Sequence, residues 1–161
     1  MTQAGSPMQA HVANVGDGTS AVATSKTRAV SLDQAALVAL DWGTTSLRAY
    51  LFDAAGNVLD TRESTAGIMN LPRPAEEGGF DAAFEAACGA WLERAPGVPV
   101  IAAGMVGSAQ GWLEAPYVDA PASADALVAG IVRVQTARGA TLHIVPGVRS
   151  EEHTSELQSP A

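Results

Sequence analysis

Two closely spaced turns inside an apolar stretch constrain the fold of this 161-residue chain more than any other feature of its sequence. The run "AALVAL" is continuously apolar, as a buried strand is, and it is followed directly by Asp41. After the turn "GTTS", the segment "LRAYLF" alternates, with Leu47, Ala49 and Leu51 on one face. A second turn, "DAAGN", leads into "VLDTRE", which has the pattern of another strand. Two successive hairpins predict a three-stranded antiparallel meander over residues 36–62.

A helix is predicted after the meander. Apolar residues recur at helical spacing from Phe80 to Leu92, and Pro96 followed by Gly97 predicts the end of the helix. Cys88 lies within the apolar stripe. A reactive thiol needs an exposed, electropositive setting, so this position favours a packed core cysteine.

A second helix is predicted further along the chain, between two strands. Ser123 has the position of an N-cap, Leu127, Ile131 and Val134 form an apolar stripe, and Gly139 has the position of a C-terminal glycine. The flanking segments "VPVIAAG" and "TLHIVPG" have the pattern of short buried strands. A meander followed by alternating helices and strands predicts an α/β fold with a mixed sheet and helices on its faces.

Charge and composition exclude several classes of partner. The net charge of −8 gives no electrostatic attraction to nucleic acid or to an anionic membrane surface. No apolar run approaches the length of a membrane-spanning helix, and the N-terminus lacks the basic and apolar regions of a secretory signal. The single cysteine rules out an internal disulfide framework and fits a reducing compartment. The sequence therefore predicts a cytoplasmic protein that binds neither nucleic acid nor membranes.

The two ends of the chain differ in composition from the segment between them. Residues 1–35 are rich in Ala, Ser, Thr and Gly with little periodicity, which predicts a disordered extension. The final "RSEEHTSELQS" resembles the translation of a common sequencing-library adapter, so we interpret residues 149–161 as a non-native tail. An ordinary acidic tail is the alternative. On the first interpretation, the folded sequence comprises residues 36–148.

Four motifs in the folded part carry a resemblance to a known family. "DWGTTSLR" resembles the first phosphate-binding motif of the sugar-kinase, heat-shock-ATPase and actin superfamily. "AGMVGSAQGW", "EAPYVDAPA" and "IVPGV" narrow the resemblance to the 2-dehydro-3-deoxygalactonokinase family, over roughly residues 36–148. The resemblance implies an incomplete ribonuclease-H-like (actin-like ATPase) domain. It also implies an ATP-dependent kinase that uses Mg²⁺ and phosphorylates a small sugar acid at its terminal hydroxyl.

The resemblance assigns nucleotide-binding roles to the first hairpin. Gly43 allows the backbone to approach the phosphates, and Thr44 and Thr45 add N–H and hydroxyl donors. Asp41 is placed near Mg²⁺ through water, as the catalytic positioning group of this chain. Arg48 matches a basic position that reaches a phosphate oxygen. The alternatives are a turn acid for Asp41 and an ordinary exposed strand residue for Arg48.

The resemblance also assigns residues to the sugar-acid pocket. Small and polar residues after a buried strand occupy the place where ligands of α/β sheets usually bind, and backbone N–H groups there suit a 2-oxo acid. The predicted substrate-binding residues are Gly104, Met105, Gly107, Ser108, Gln110 and Trp112, with Gly67 and Met69 from "STAGIMNL" as further lining. For Trp112, ordinary core packing is the alternative.

The family pattern includes parts that no segment of this sequence matches. These are a second ribonuclease-H-like domain of the same polypeptide, with the adenosine pocket, and the Asp that acts as catalytic base. We therefore expect the chain to be an N-terminal portion that is inactive alone. Two other classes remain open: an actin-type or chaperone-type ATPase, which "GMVGSAQGW" argues against, and a non-catalytic protein with a kinase fold.

Overall fold

The computed structural model describes residues 31–150, which form a mixed α/β fold. The strands in this range are β1 (Ala35–Trp42), β2 (Leu47–Asp53), β3 (Val58–Ser64), β4 (Val100–Ala103), β5 (Val118–Asp119), β6 (Val132–Gln135), β7 (Thr141–Ile144) and β8 (Val148–Arg149). The helices are α1 (Gly79–Phe84), α2 (Ala90–Arg94) and α3 (Ala124–Ala129), with a π-helical turn over Glu85–Gly89 and 3₁₀ turns over Leu32–Gln34, Ala75–Glu77 and Met105–Gly107.

The main sheet has six strands in the order β3-β2-β1-β4-β7-β6. The predicted meander is confirmed: β1 pairs antiparallel with β2, and β2 pairs antiparallel with β3. β4 then lies parallel to β1 on its other side, and β7 lies parallel to β4. β6 is antiparallel to β7 at the edge, while β5 and β8 form a separate parallel pair. The predicted mixed sheet is therefore present.

The two faces of the main sheet are covered differently. Val38, Leu40 and Trp42 point to one face, where neighbouring strands present further apolar residues in register, among them Leu51 and Val100. This face and the segment from α1 to α2 enclose one hydrophobic core. Residues of the other face are only half-buried or exposed. The sheet therefore has one closed side in the described range.

The helix predicted over Phe80–Leu92 is confirmed, with one irregularity. A π-helical turn over Glu85–Gly89 separates α1 from α2 without interrupting the helical path. Cys88 lies in this turn, fully buried, and its thiol donates to the Phe84 carbonyl. Burial raises the pKa of the Cys88 thiol to about 12, because the thiolate would lose its hydration. The prediction of a core cysteine is confirmed.

The second predicted helix is wrong beyond its first turns. Ser123 caps α3 as expected, accepting from the Ala126 N–H at 3.1 Å, but the helix ends at Gly130. Residues 132–135 instead form β6, which pairs with β7 through the turn that contains Gly139 (φ +90°). β-Branched residues at 131, 132 and 134 favour an extended backbone, and a neighbouring strand edge accepts it. The spacing of Ile131 and Val134 is compatible with a helix and also with a strand.

The ends of the described range bear on the predicted boundaries. Of the predicted extension, residues 1–30 lie outside the described residues, and residues 31–35 form a 3₁₀ turn, with Leu32 buried, and the start of β1. Of the predicted tail, residues 151–161 also lie outside, and Arg149 pairs with Asp119 within the β5–β8 ladder. Over residues 31–150, none of the helices has the length and apolarity needed to cross a bilayer.

Candidate functional site

The carboxyl ends of β1, β4 and β7 meet at one edge of the main sheet, because these three strands are parallel. From β1 the chain continues to β2 on one side, and from β4 it continues towards β6 and β7 on the other side. The connections thus diverge between β1 and β4. In open α/β sheets, ligands bind in the crevice beyond the strand ends at such a point.

A cavity of about 300 Å³ lies at this divergence. It brings together five of the residues predicted from the sequence, from both the first hairpin and the segment after β4: Gly43, Gly104, Met105, Gly107 and Ser108. The remaining lining residues lie in the quoted motifs but were not predicted as site residues; they are Ala103, Ala115, Tyr117, Val145, Pro146 and Gly147. The cavity therefore joins the hairpin and the loop that were assigned separately to nucleotide and to acid.

The turn between β1 and β2 offers hydrogen-bond donors at its tip. The Gly43 N–H donates to the Ser46 carbonyl at 2.9 Å, which closes the turn. Thr44 and Thr45 are exposed, and no described residue accepts from their N–H groups. A Cβ at Gly43 would come no closer than 3.6 Å to the Ser46 carbonyl oxygen, an ordinary contact. The turn would therefore accept a methyl group at Gly43, and the open space beside this residue is that of the cavity.

The segment after β3 is fixed to this turn by backbone hydrogen bonds. The Ile68 N–H donates to the Gly43 carbonyl and the Met69 N–H to the Thr44 carbonyl, both at 3.0 Å. A Cβ at Gly67 would lie 2.3 Å from the Thr44 carbonyl oxygen, so only glycine permits this approach. Gly67 and Met69 do not line the cavity that Gly104 lines; they support the turn instead. The sequence had placed them in the sugar pocket.

Asp41, Arg48 and Glu63 form a row of charges across three strands. Arg48 is opposite Asp41 on β1 and opposite Glu63 on β3, and its Nε donates to the Glu63 carboxylate at 3.2 Å. This hydrogen bond is the main cause that raises the pKa of Arg48, with a smaller contribution from Asp41. All three side chains are exposed. Glu63 was not predicted from the sequence, although the meander register places it beside Arg48.

The loop after β4 begins at Gly104, whose φ of +103° suits glycine. In the 3₁₀ turn that follows, the Gly107 N–H donates to the Gly104 carbonyl at 3.2 Å. The Ser108 N–H and hydroxyl both donate to the Met105 carbonyl, at 3.0 and 2.7 Å. Two of the N–H groups predicted to bind the acid are therefore already used within the turn, which sequence spacing does not reveal.

Gln110 and Trp112 lie outside this cavity. Gln110 is exposed, whereas the Trp112 ring stacks on Phe80 with centroids 5.7 Å apart and meets Trp42 edge-on at 6.0 Å. Phe84 completes the aromatic cluster. The contacts of Trp112 are those of the core-packing alternative, and Gln110 is not among the residues that line the cavity.

The donor set at this edge suits a hydrated magnesium ion better than a protein-caged metal. Over residues 31–150, no group of three or more His, Cys, Asp or Glu residues is arranged to hold a metal. Asp41 offers one exposed carboxylate at the end of β1. Mg²⁺ commonly takes one or two carboxylates and completes its octahedron with water and phosphate oxygens. Asp41 and the donors of Thr44 and Thr45 therefore fit Mg²⁺ with a phosphate chain.

Comparison with known proteins gives consistent results. Residues 41–157 match the protein family described as 2-keto-3-deoxy-galactonokinase. The 2-dehydro-3-deoxygalactonokinase of Escherichia coli (strain K12) is 38% identical over 112 residues, which are 69% of this chain and 34% of that protein. A Rhizobium meliloti (strain 1021) protein named "Probable 2-dehydro-3-deoxygalactonokinase DgoK1" is 32% identical over 114 residues, covering 71% of this chain and 35% of that protein.

A solved structure shows the same similarity in three dimensions. The crystal structure of a Sinorhizobium meliloti protein assigned as a 2-dehydro-3-deoxygalactonokinase matches with a TM-score of 0.56 and 28% identity. The match covers 71% of this chain and 36% of that one. The present chain thus spans about a third of the length of the curated relatives it matches.

Proposed function

The chain belongs to the 2-keto-3-deoxy-galactonokinase family, and from that premise we propose that it forms part of an ATP-dependent kinase for 2-dehydro-3-deoxygalactonate. The reaction transfers the terminal phosphoryl group of ATP to the terminal hydroxyl of the sugar acid. The observation that carries the proposal is the shared cavity. Gly43 of the first hairpin lines the same space as four residues of the second loop, Gly104, Met105, Gly107 and Ser108. A kinase needs its phosphate donor and its acceptor in adjoining sites.

We further propose that the fold is a ribonuclease-H-like, actin-like ATPase domain. The antiparallel meander followed by parallel strands on the other side of β1 supports this classification. So does the similarity to the Sinorhizobium meliloti structure at a TM-score of 0.56. In this fold the first hairpin faces the nucleotide, and the position of Gly43 at the cavity supports that arrangement.

The first hairpin binds the phosphates of ATP in this proposal. When bound, ATP would supply the phosphoryl group, and Mg²⁺ would neutralise charge on the phosphate oxygens. The N–H and hydroxyl groups of Thr44 and Thr45 donate to phosphate oxygens, and the open space over Gly43 lets the phosphates approach. Asp41 orients the hydrated metal. Arg48 is paired with Glu63, and in this proposal it exchanges that partner for a phosphate oxygen.

The loop after β4 binds the sugar acid. Its backbone at Gly104 and Met105 lies beside the cavity, next to the hairpin that binds phosphate. Internal hydrogen bonds hold Gly107 and Ser108 in a fixed turn, so this wall is formed before substrate arrives. A preformed wall positions the acceptor hydroxyl for in-line attack without a further ordering cost.

The proposal extends to a partner and a compartment. The relatives are about three times as long as the matched segment, and we propose that further residues of the same polypeptide supply the adenosine pocket and the catalytic base. The negative net charge and single cysteine support a cytoplasmic enzyme that binds neither nucleic acid nor membranes.

The experiment uses the complete gene product that contains this sequence, called the complete protein below. ADP release is followed with Mg²⁺-ATP in the presence and absence of 2-dehydro-3-deoxygalactonate, and the product is identified by ³¹P NMR. We expect ADP release to depend on the sugar acid and to yield a phosphate monoester at its terminal carbon.

Other outcomes identify the competing classes of protein. Steady ATP hydrolysis that sugar acids do not stimulate would indicate an actin-type or chaperone-type ATPase. Nucleotide binding without turnover of any sugar acid would indicate a non-catalytic protein. Either result contradicts the proposed kinase activity.

A further inference from the structure

Two of the four motifs that carried the resemblance belong neither to the first hairpin nor to the loop after β4. They are "EAPYVDAPA", which contains β5, and "IVPGV", which joins β7 to β8. The structure places them side by side in a parallel ladder. The Val118 N–H donates to the Gly147 carbonyl at 3.0 Å, and the Ala120 N–H donates to the Arg149 carbonyl at 2.8 Å. The two motifs therefore form one unit at the edge where β1, β4 and β7 end.

Within this unit, the ring of Tyr117 packs directly on the backbone of Gly147. A Cβ at Gly147 would lie 2.8 Å from Cε1 and 3.1 Å from Cδ1 of that ring. Any side chain at residue 147 would therefore displace the ring or be displaced by it. Glycine at this position fixes how closely Tyr117 approaches the chain.

The other side of the same ring is open. Tyr117 retains 59% of its surface exposed, and it lines the cavity together with Gly104 and Ser108. Its hydroxyl makes no hydrogen bond to any residue of the range 31–150. A large apolar ring with one face packed, one face open and a free polar tip is suited to ligand contact, since tyrosine combines contact area with a hydroxyl donor.

We propose that Tyr117, supported by Gly147, determines specificity for the sugar acid at this cavity. The ring packs against the carbon chain of the substrate, and the phenol hydroxyl hydrogen-bonds to one of its hydroxyl groups. This inference rests on the proposed kinase function, because it takes the sugar acid as the occupant. The inference assigns the part of the cavity lined by Tyr117 and Gly147 to the sugar acid, and the part lined by Gly43 to the nucleotide.

The test measures steady-state kinetics of the complete protein for both substrates. Tyr117→Ala should raise KM for 2-dehydro-3-deoxygalactonate about three- to tenfold, the size of one aromatic contact. KM for ATP should stay within about twofold, because the proposal assigns the ring to the sugar acid and the hairpin to the nucleotide. Gly147→Ala should change KM in the same direction by shifting the ring. Tyr117→Phe should lower the preference for this substrate over its C4 or its C5 epimer, according to which hydroxyl the phenol binds.

Matched controls come from the same chain. Leu113→Ala removes another exposed apolar side chain (43% exposed) from the same loop, outside the cavity lining. Gly97→Ala adds a methyl group where no atom lies within 4 Å. Both should leave the sugar-acid KM unchanged. Thermal unfolding of each variant shows whether it is folded, and Tyr117→Phe retains the packed ring if Gly147→Ala does not fold.

The outcomes separate the two proposals. An active wild type with an unchanged sugar-acid KM in Tyr117→Ala overturns the role of Tyr117 and leaves the kinase function standing. An equal rise in both KM values, or an equal effect of Leu113→Ala, also overturns it. A wild type that phosphorylates no sugar acid contradicts the proposed function itself, and the assignment of Tyr117 falls with it.

Discussion

Glycine is needed at two positions of the candidate site for different physical causes. The structure distinguishes these causes, whereas the sequence alone does not. At Gly67 the reason is internal, since a Cβ would lie 2.3 Å from the Thr44 carbonyl oxygen. At Gly43 the nearest such contact is 3.6 Å, so packing would accept alanine. The absence of a side chain at Gly43 leaves room for a ligand, whereas at Gly67 it allows two backbone segments to meet.

Gly67→Ala should therefore destabilise the chain. The added methyl group must push the segment after β3 away from the turn at Thr44, and overpacking of this kind costs about 1–3 kcal/mol in the free energy of unfolding. Urea unfolding of the 161-residue chain measures the change. Gly97→Ala, which meets nothing within 4 Å, is the control and should be neutral or slightly stabilising. Equal stability of the two variants would show that the 67–69 segment is not held against the turn.

Asp41→Ala tests the electrostatic role of the hairpin in the complete protein. It should lower kcat by about 10²–10³, the usual cost of removing one well-placed electrostatic group, and should change KM less. Asp33→Ala, at another exposed acid near the start of β1, is the control and should leave kcat unchanged. A variant at Asp41 that keeps most of its kcat at saturating Mg²⁺-ATP would make this residue an ordinary strand-end acid.

At the scale of elements, the turn between β6 and β7 is attached to the main helix by polar contacts. The Ala137 N–H donates to the Asp81 carboxylate at 2.7 Å, and Arg138 binds the Glu85 carboxylate through both Nε and Nη2. The hydrogen bond from Arg138 is the main cause that lowers the pKa of Glu85. These contacts join an edge hairpin to the helix that covers the core.

The pair between Glu85 and Arg138 should give stability that depends on pH. Because the pKa of Glu85 is lower in the folded chain, its contribution is present above the ordinary value of 4.5 and is lost as pH falls through the lowered folded value. Glu85→Gln should reduce the free energy of unfolding at pH 7 by about 0.2–1 kcal/mol, since both partners are partly exposed and screened by solvent. The difference should disappear in acid.

Urea unfolding at a series of pH values, in parallel with Arg138→Ala, measures this dependence. The variant Arg138→Ala should lose the same pH-dependent increment. Glu76→Gln, at an exposed Glu of the 3₁₀ turn before α1, is the control and should not alter the dependence. A wild-type profile that matches that of Glu85→Gln through the acid range would contradict the stabilising role of the pair.

Elements with one strong local pattern were predictable from the sequence, and elements that depend on partners were not. The alternation of apolar residues around Leu51 predicted β2, and the turns on either side of β2 predicted the meander. Residues 131–135 combine helical spacing with β-branched side chains, and only the available edge of β7 decides for a strand. In the site, the hairpin and the Gly104 loop followed from motifs. The contact of Tyr117 with Gly147 joins segments 30 residues apart and left no local signal.

At the scale of the whole molecule, the proposed function gives the described residues one side of a reaction site. The hairpin and the Gly104 loop meet at one sheet edge, and the chain spans about a third of the length of its curated relatives. Phosphoryl transfer also requires an oriented acceptor, usually a base, and exclusion of water. The arrangement seen here meets the first of these needs in part.

We therefore expect the 161-residue chain to show no turnover of 2-dehydro-3-deoxygalactonate under conditions where the complete protein is active. Both are assayed with Mg²⁺-ATP at equal molar concentration, and circular dichroism establishes that the shorter chain is folded. Turnover by the 161-residue chain comparable with that of the complete protein would contradict the proposed division of the site.

The two hydrogen bonds that Ile68 and Met69 donate to the turn at Gly43 and Thr44 also determine how that turn can open. The turn can move away from the 67–69 segment only if both bonds open, so these two amide protons should exchange with deuterated solvent in step with each other. Each exchange event then records one opening of the turn at Gly43 and Thr44. A ligand that holds the turn closed would slow the exchange of both protons by the same factor. The exchange rates of these two amides therefore report whether the site is occupied.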